Sequence, residues 1–201
     1  MTKIIIDPGH GGTNHGCSHV HNGELVYENT VVLTIGLKVR RMLAEMGYEV
    51  YITRKENKSV KNGSRPYVVP DADCFVSIHI NAPAKAGDTK TCGFCSLTRY
   101  DVGAGYNLCD YVNTHLVNCL NRYFEAKGVD HTAKNLGVWH GKRFPKSLKL
   151  PMLRGSMPSC LVECGFVTHP VEGAMLLNDD YLWQIAYGIA NGVNAFLRSK
   201  R

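Results

Sequence analysis

The run Cys74-Phe75-Val76-Ser77-Ile78-His79-Ile80 constrains this chain most. It is apolar at nearly every position, bounded by Pro70-Asp71 on one side and Asn81-Ala82-Pro83 on the other. A strand half-exposed to water alternates polar and apolar residues, whereas a continuous apolar strand needs cover on both faces. Residues 3–7, 48–53, 91–97 and 158–164 read as further strands. Between them lie segments of helical period. One spans 28–46, with Val32, Ile35, Val39, Met42, Leu43 and Met46 on one side and Gly47 as its stop; a second spans 104–125. The last helix carries the stripe Leu182, Ile185, Ala186, Ile189, Val193, Phe196 and Leu197. Residues 136–153, rich in Lys, Gly and Pro, read as irregular. Strands alternating with helices predict an α/β fold: a mostly parallel twisted sheet flanked by helices on both faces. No repeat or linker divides the sequence, so one domain is expected over 1–201.

A chain of 201 residues can bury a large core without disulfides. Its eight cysteines are therefore expected to be mostly free thiols, several of them inside apolar runs such as Asp73-Cys74-Phe75-Val76. Cys92-Gly93-Phe94-Cys95 is a lone CxxC and reads as a strand with two small residues. Met1 reads as an initiator, and the apolar run after it is too short for a signal peptide or a membrane span. Synthesis in the cytoplasm without a signal peptide, and no membrane insertion, are the expectations. Lys and Arg number 23 against 17 Asp and Glu, a net charge of +6 that suits an anionic partner. The basic residues match no helix-turn-helix or RNA-binding pattern, which argues against nucleic acid.

Ligands of open α/β sheets bind beyond the carboxyl ends of the strands. Four reactive side chains fall at such places: His10 after the first strand, Glu28 opening the first helix, His79 ending the third strand and Glu163 ending the late one. A histidine in a glycine-rich turn can be a plain loop residue, and a glutamate at a helix start can simply complement the helix dipole. An imidazole inside a buried strand, however, needs a partner, and an unpaired carboxylate within Leu161-Val162-Glu163-Cys164-Gly165-Phe166 is costly. Two imidazoles and one carboxylate make a catalytic zinc set with an open fourth position, and a second carboxylate can serve as general base. His15, Cys17, His19 and His21 also have metal-ligand composition within one loop, but the reading kept is a single ion.

These residues sit in segments that resemble the zinc-dependent N-acetylmuramoyl-L-alanine amidases of the type 3 group, whose catalytic domains include those of phage endolysins. The resemblance lies in Ile5-Ile6-Asp7-Pro8-Gly9-His10-Gly11-Gly12, Tyr27-Glu28-Asn29, Val76-Ser77-Ile78-His79-Ile80-Asn81-Ala82 and Met157-Pro158-Ser159-Cys160-Leu161-Val162-Glu163-Cys164-Gly165-Phe166. Ser64-Arg65 and the stretch around Tyr187-Gly188 match more weakly. It implies one zinc ion held by His10, Glu28 and His79, with Glu163 as catalytic acid/base. Glu24 is the rival for the Glu28 role; the register of the helix favours Glu28. Asp7 is expected to fix the loop or hydrogen-bond a ligand. The implied substrate is peptidoglycan, cut at the amide between N-acetylmuramic acid and L-alanine by a monomer acting on the wall after release, in host or mother-cell lysis. A zinc peptidase of the stem peptide and a non-catalytic wall-binding regulator are the alternatives. The sequence departs from the family in a longer stretch over 135–158, and a separate cell-wall-binding domain is not expected.

Overall fold

The computed structural model describes residues 1–200. Its elements, in chain order, begin with β1 (Lys3–Pro8), β2 (Ser18–His21), β3 (Glu24–Tyr27), α1 (Glu28–Glu45), β4 (Glu49–Ile52) and β5 (Cys74–Asn81). They continue with β6 (Phe94–Leu97), α2 (Ala104–Lys127), β7 (Asn135–Trp139), β8 (Ser159–Phe166), α3 (Pro170–Met175) and α4 (Asp179–Arg198). Six strands form one sheet in the order β4-β1-β5-β8-β6-β7. Neighbours run parallel except β6 and β8, which are antiparallel. The fold is thus α/β with a mostly parallel sheet. The strands that read as continuous apolar runs, β5 and β8, occupy its centre, where neither face meets water.

The two faces are covered unequally. Ile4, Ile6, Val76, Ile78 and Val162 pack under α1, α2 and α4, which form one layer with α4 between the other two. Residues of opposite parity, Ile5, Phe75, Cys95 and Leu161, face a smaller cluster with Val69, Met152 and Leu153. That second face is covered by short 3₁₀ turns at Asn62–Tyr67 and Pro151–Arg154 and by coil. A thin cover leaves room for a cleft beside the strand ends.

Residues 136–153, read as irregular, contain part of an edge strand and two 3₁₀ turns (Pro145–Lys149 and Pro151–Arg154). Strand β7 pairs with β6 alone, is only partly buried and holds Gly137 at φ 86°, so it has neither the alternation nor the apolar run of a central strand. The loop carrying His19 and His21 is an antiparallel hairpin, β2–β3, turning at Asn22 (φ 51°) and Gly23 (φ 83°). Asn-Gly is the strongest local hairpin signal because both turn positions need positive φ. The flanking strands carry little further signal in the sequence, because at four residues each they are largely exposed and lack an apolar period. All eight cysteines are free.

Candidate active site

The glycine-rich segment after β1 is shaped by two buried guanidinium groups. Arg65 donates to Asp7 Oδ1 at 2.7 Å, to the Pro8 carbonyl at 3.0 Å and to the His10 carbonyl at 2.8 Å. Arg54 donates to the carbonyls of Pro8, Gly9 and Asn29 at 3.0, 2.7 and 2.7 Å. Asp7, with no exposed surface, also accepts from Thr53 Oγ1 and Ser77 Oγ, so strands β1 and β5 and the residue after β4 meet on one carboxylate. Burial and the neighbouring Arg65 charge lower the Arg54 pKa to about 10, against the pull of Asp7. This scaffold holds His10 at φ 58°, a left-handed conformation that costs an L-residue about 1–2 kcal/mol. Asn14 Oδ1 lies 2.9 Å from His10 Nδ1, which leaves Nε2 as the ring nitrogen turned to the site.

Helix α1 begins without a side-chain cap. Its first amides are satisfied by the preceding loop instead: Glu28 N–H donates to the Cys17 carbonyl and Asn29 N–H to the His15 carbonyl, each at 3.0 Å. That anchors the Glu28 carboxylate over the strand ends. Oε2 accepts from Cys17 N–H at 2.8 Å, and Oε1 accepts from Ile80 N–H at 3.0 Å. Oε1 also lies 3.0 Å from both His10 Nε2 and His79 Nδ1. Burial would raise the Glu28 pKa, but the hydrogen bonds and charges of the two histidines outweigh it and hold the carboxyl well below the usual range. Burial likewise would lower the His79 pKa, and the Glu28 contact, with Glu163 and Asp7, raises it on balance. Two glycines make room: a Cβ on Gly9 would lie 2.3 Å from His79 Cε1, and one on Gly16 would lie 2.3 Å from Glu28 Oε2.

His79 and Glu163 are register partners on adjacent parallel strands. Glu163 Oε2 and His79 Nε2 are both buried and lack hydrogen-bond partners. Although Glu163 as a whole is only half-buried, removal of its carboxyl oxygen from water raises its pKa from the ordinary 4.5 to about 7, a shift that the histidines moderate. His10, His79 and Glu163 line one cleft of about 340 Å³, whose opposite wall is apolar, with Phe144, Leu150 and Met152.

The ligand atoms of His10, Glu28 and His79 all lie within 4.8 Å of one another, and no other such group of three occurs among the described residues. Glu24, the rival carboxylate, is exposed in β3 opposite His21. His15, Cys17, His19 and His21 do not form a metal-binding group: the rings of His19 and His21 lie 4.9 Å apart, but the other two are turned elsewhere. His15 stacks on Tyr27, Cys17 Sγ donates to the Ile80 carbonyl, and His21 meets the Val167 carbonyl.

Residues 4–195 match the profile of the N-acetylmuramoyl-L-alanine amidases. The chain belongs to this family. The amidase is 28% identical over its full length to a sporulation-specific N-acetylmuramoyl-L-alanine amidase of Bacillus subtilis, covering 70% of that protein. It is 31% identical to the endolysin of Bacillus phage SPP1, covering 68% of it. It superposes on AmiC2, an N-acetylmuramoyl-L-alanine amidase of Nostoc punctiforme, with a TM-score of 0.81 and 30% identity over 98% of this chain and 97% of the other. Among the described residues, no helix of the amidase is long and apolar enough to cross a membrane. Sequence reasoning missed Arg54 and the use to which Arg65 is put. Each arginine sits among polar residues and reads as surface, and only the fold brings their guanidiniums under the His10 loop.

Proposed function

We propose that this amidase hydrolyses the amide between N-acetylmuramic acid and L-alanine of peptidoglycan with one zinc ion held by His10, Glu28 and His79, and with Glu163 as general acid/base. The observation that carries this reading is the convergence of two imidazole nitrogens on one carboxylate oxygen at 3.0 Å each, beside a buried carboxyl with an elevated pKa. Donors that share one ion at about 2.0–2.2 Å lie roughly 3–3.5 Å apart, so the set fits. The chemistry of the donor set, two imidazoles and one carboxylate, supports the same view. When bound, zinc supplies Lewis acidity, lowering the pKa of water to about 7 and polarising a carbonyl.

The chain's own groups supply the rest. Glu163, with its pKa near neutrality, takes a proton from the attacking water and returns it to the leaving L-alanine nitrogen. Asn14 fixes the His10 ring, and the Asp7–Arg65 pair fixes its backbone. The apolar wall opposite keeps bulk water from the reacting carbonyl. The products are a glycan strand and a stem peptide beginning with L-alanine. Lysis of a host or mother cell is the occasion that fits, and a monomer suffices for the chemistry.

Mass spectrometry of digested peptidoglycan tests the activity. Intact stem peptides with a free L-alanine amine are expected; fragments cut within the stem would instead mark a peptidase. The purified protein should hold one zinc per chain by elemental analysis, and His79→Ala should hold almost none. Full occupancy in that variant would remove His79 from the ligand set. Gly9→Ala should act on the same residue from behind, because the new methyl group occupies the His79 ring position. Displacing a reacting group by about 1 Å can cost on the order of 10²-fold in rate. Wild-type zinc content and turnover in Gly9→Ala would show that the close approach is immaterial.

A further inference from the structure

The positive charge of the chain is concentrated in one stretch. Residues 131–162 contain no Asp or Glu but six basic residues: Lys134, Lys142, Arg143, Lys146, Lys149 and Arg154. Taking those six from the 23 Lys and Arg leaves 17 against 17 acidic residues, so this stretch alone carries the net charge of +6. Its middle part folds over the thinly covered face of the sheet and builds the apolar wall of the cleft. One of its cations, Lys146, lines that cleft together with His10, His79 and Glu163.

Lys149, in the same turn, is also exposed but does not line the cleft, and other cations nearby are engaged. Arg65, which also lines it, is bonded to Asp7 and to the carbonyls of Pro8, His10 and Val60. Lys142 pairs with Asp101 at 2.5 Å, and Arg143 lies 5.9 Å from the centre of the Trp139 ring. Lys146 is exposed, and among the described residues it has no acidic partner. A lysine ammonium is a compact point charge on a long stem, suited to a single carboxylate rather than to planar bidentate recognition. Because it is exposed at the cleft, its pairing with an anion would be screened by salt.

The chemistry of the substrate tells which side of the scissile bond can offer that anion. The amino groups of the glycan are acetylated, and the lactyl carboxyl of muramic acid is consumed in the amide itself. The nearest carboxyl therefore belongs to the peptide, on the residue after L-alanine, where stem peptides carry either a free carboxylate or its carboxamide. We infer that Lys146 is a specificity-determining residue that pairs with this free carboxylate, so that the enzyme distinguishes acidic from amidated stem peptides. The inference rests on the amidase reading given above.

Two soluble muropeptides that differ only in this group, acid or carboxamide, test it with the zinc-loaded full chain. A pair between exposed charged groups corresponds to a few-fold, up to about fivefold, in affinity. The wild type should show a KM up to about fivefold lower for the acid, a preference that shrinks with added salt. Lys146→Ala should raise KM for the acid to about that for the carboxamide, with a smaller effect on kcat, and Lys146→Arg should restore most of the difference. An unchanged acid-to-carboxamide ratio in Lys146→Ala, or no preference in the wild type, overturns the inference. Absence of L-alanine-terminated products from both peptides would instead defeat the amidase reading. In that case the affinities of Glu163→Gln and of Glu163→Gln/Lys146→Ala for the two peptides still decide the role of Lys146, by the presence or absence of the same ratio.

Discussion

Glu163→Gln is expected to fold, to keep its zinc and to lose roughly 10²–10⁴-fold in turnover, the range for removal of a general acid/base. The amide is nearly isosteric with the carboxyl, so the cleft keeps its shape, but it can neither take the proton from water nor deliver it to the leaving amine. Rates of release of L-alanine-terminated peptides measure the effect, and a rate within a few-fold of wild type would remove Glu163 from the mechanism. The same substitution should alter stability in the metal-free protein, in a direction fixed by the pKa. The folded state raises the Glu163 pKa from 4.5 to about 7. Between these values the native protein holds a proton that the unfolded chain has released, so stability falls as pH rises through that window. Above pH 7 the loss is complete and amounts to about 3 kcal/mol at 1.36 kcal/mol per unit. Glu163→Gln should therefore match the wild type near pH 4 and exceed it by about that amount at pH 8. Equal urea midpoints at pH 8 would contradict the burial argument.

The largest stability loss is expected for Asp7→Ala. Asp7 and Arg65 are both buried, and the carboxylate binds Thr53 and Ser77 as well. Removing one partner of a buried pair leaves an uncompensated charge and costs about 3–5 kcal/mol. Here the remaining charge lies beside a second buried guanidinium, that of Arg54, so nothing nearby neutralises it. The half-exposed Asp101, paired with Lys142, provides the contrast: Asp101→Ala should leave the urea midpoint close to that of the wild type. Urea denaturation of the two variants at constant m-value makes the comparison. Since Arg65 also holds the His10 carbonyl, Asp7→Ala should weaken zinc retention, and a variant with wild-type midpoint and full zinc would show that the pair is dispensable.

The central strands were the most readable from the sequence; of the peripheral ones, β4 was readable while β7 and the β2–β3 hairpin were not, for a physical reason. Strands β5 and β8 lie in the middle of the sheet, so nearly every side chain is selected for burial and the apolar run is interrupted at few positions, Ser77, His79 and Glu163 among them. Strand β7 sits at the edge and the β2–β3 hairpin outside the sheet, where few positions are buried and propensity is overridden by tertiary contacts. The helices covering the sheet were equally legible from their stripes. That α1, α2 and α4 all lie on one face, leaving the other to short turns, depends on crossover geometry that no local pattern carries.

The site divides along the same line. His10, His79 and Glu163 stood out in the sequence because each is a polar group in or beside an apolar strand, where it must have a partner or a task. Glu28 followed from its place at the first turn of α1. The distances among them came from the tertiary structure: the β5–β8 register that sets His79 against Glu163, and the loop contacts that hang Glu28 above both. Arg54 and Arg65 were settled by the fold alone. A guanidinium in a polar stretch gives no sign of burial until distant strands close over it, and Asp7, 58 residues from Arg65, supplies the charge that makes that closure possible.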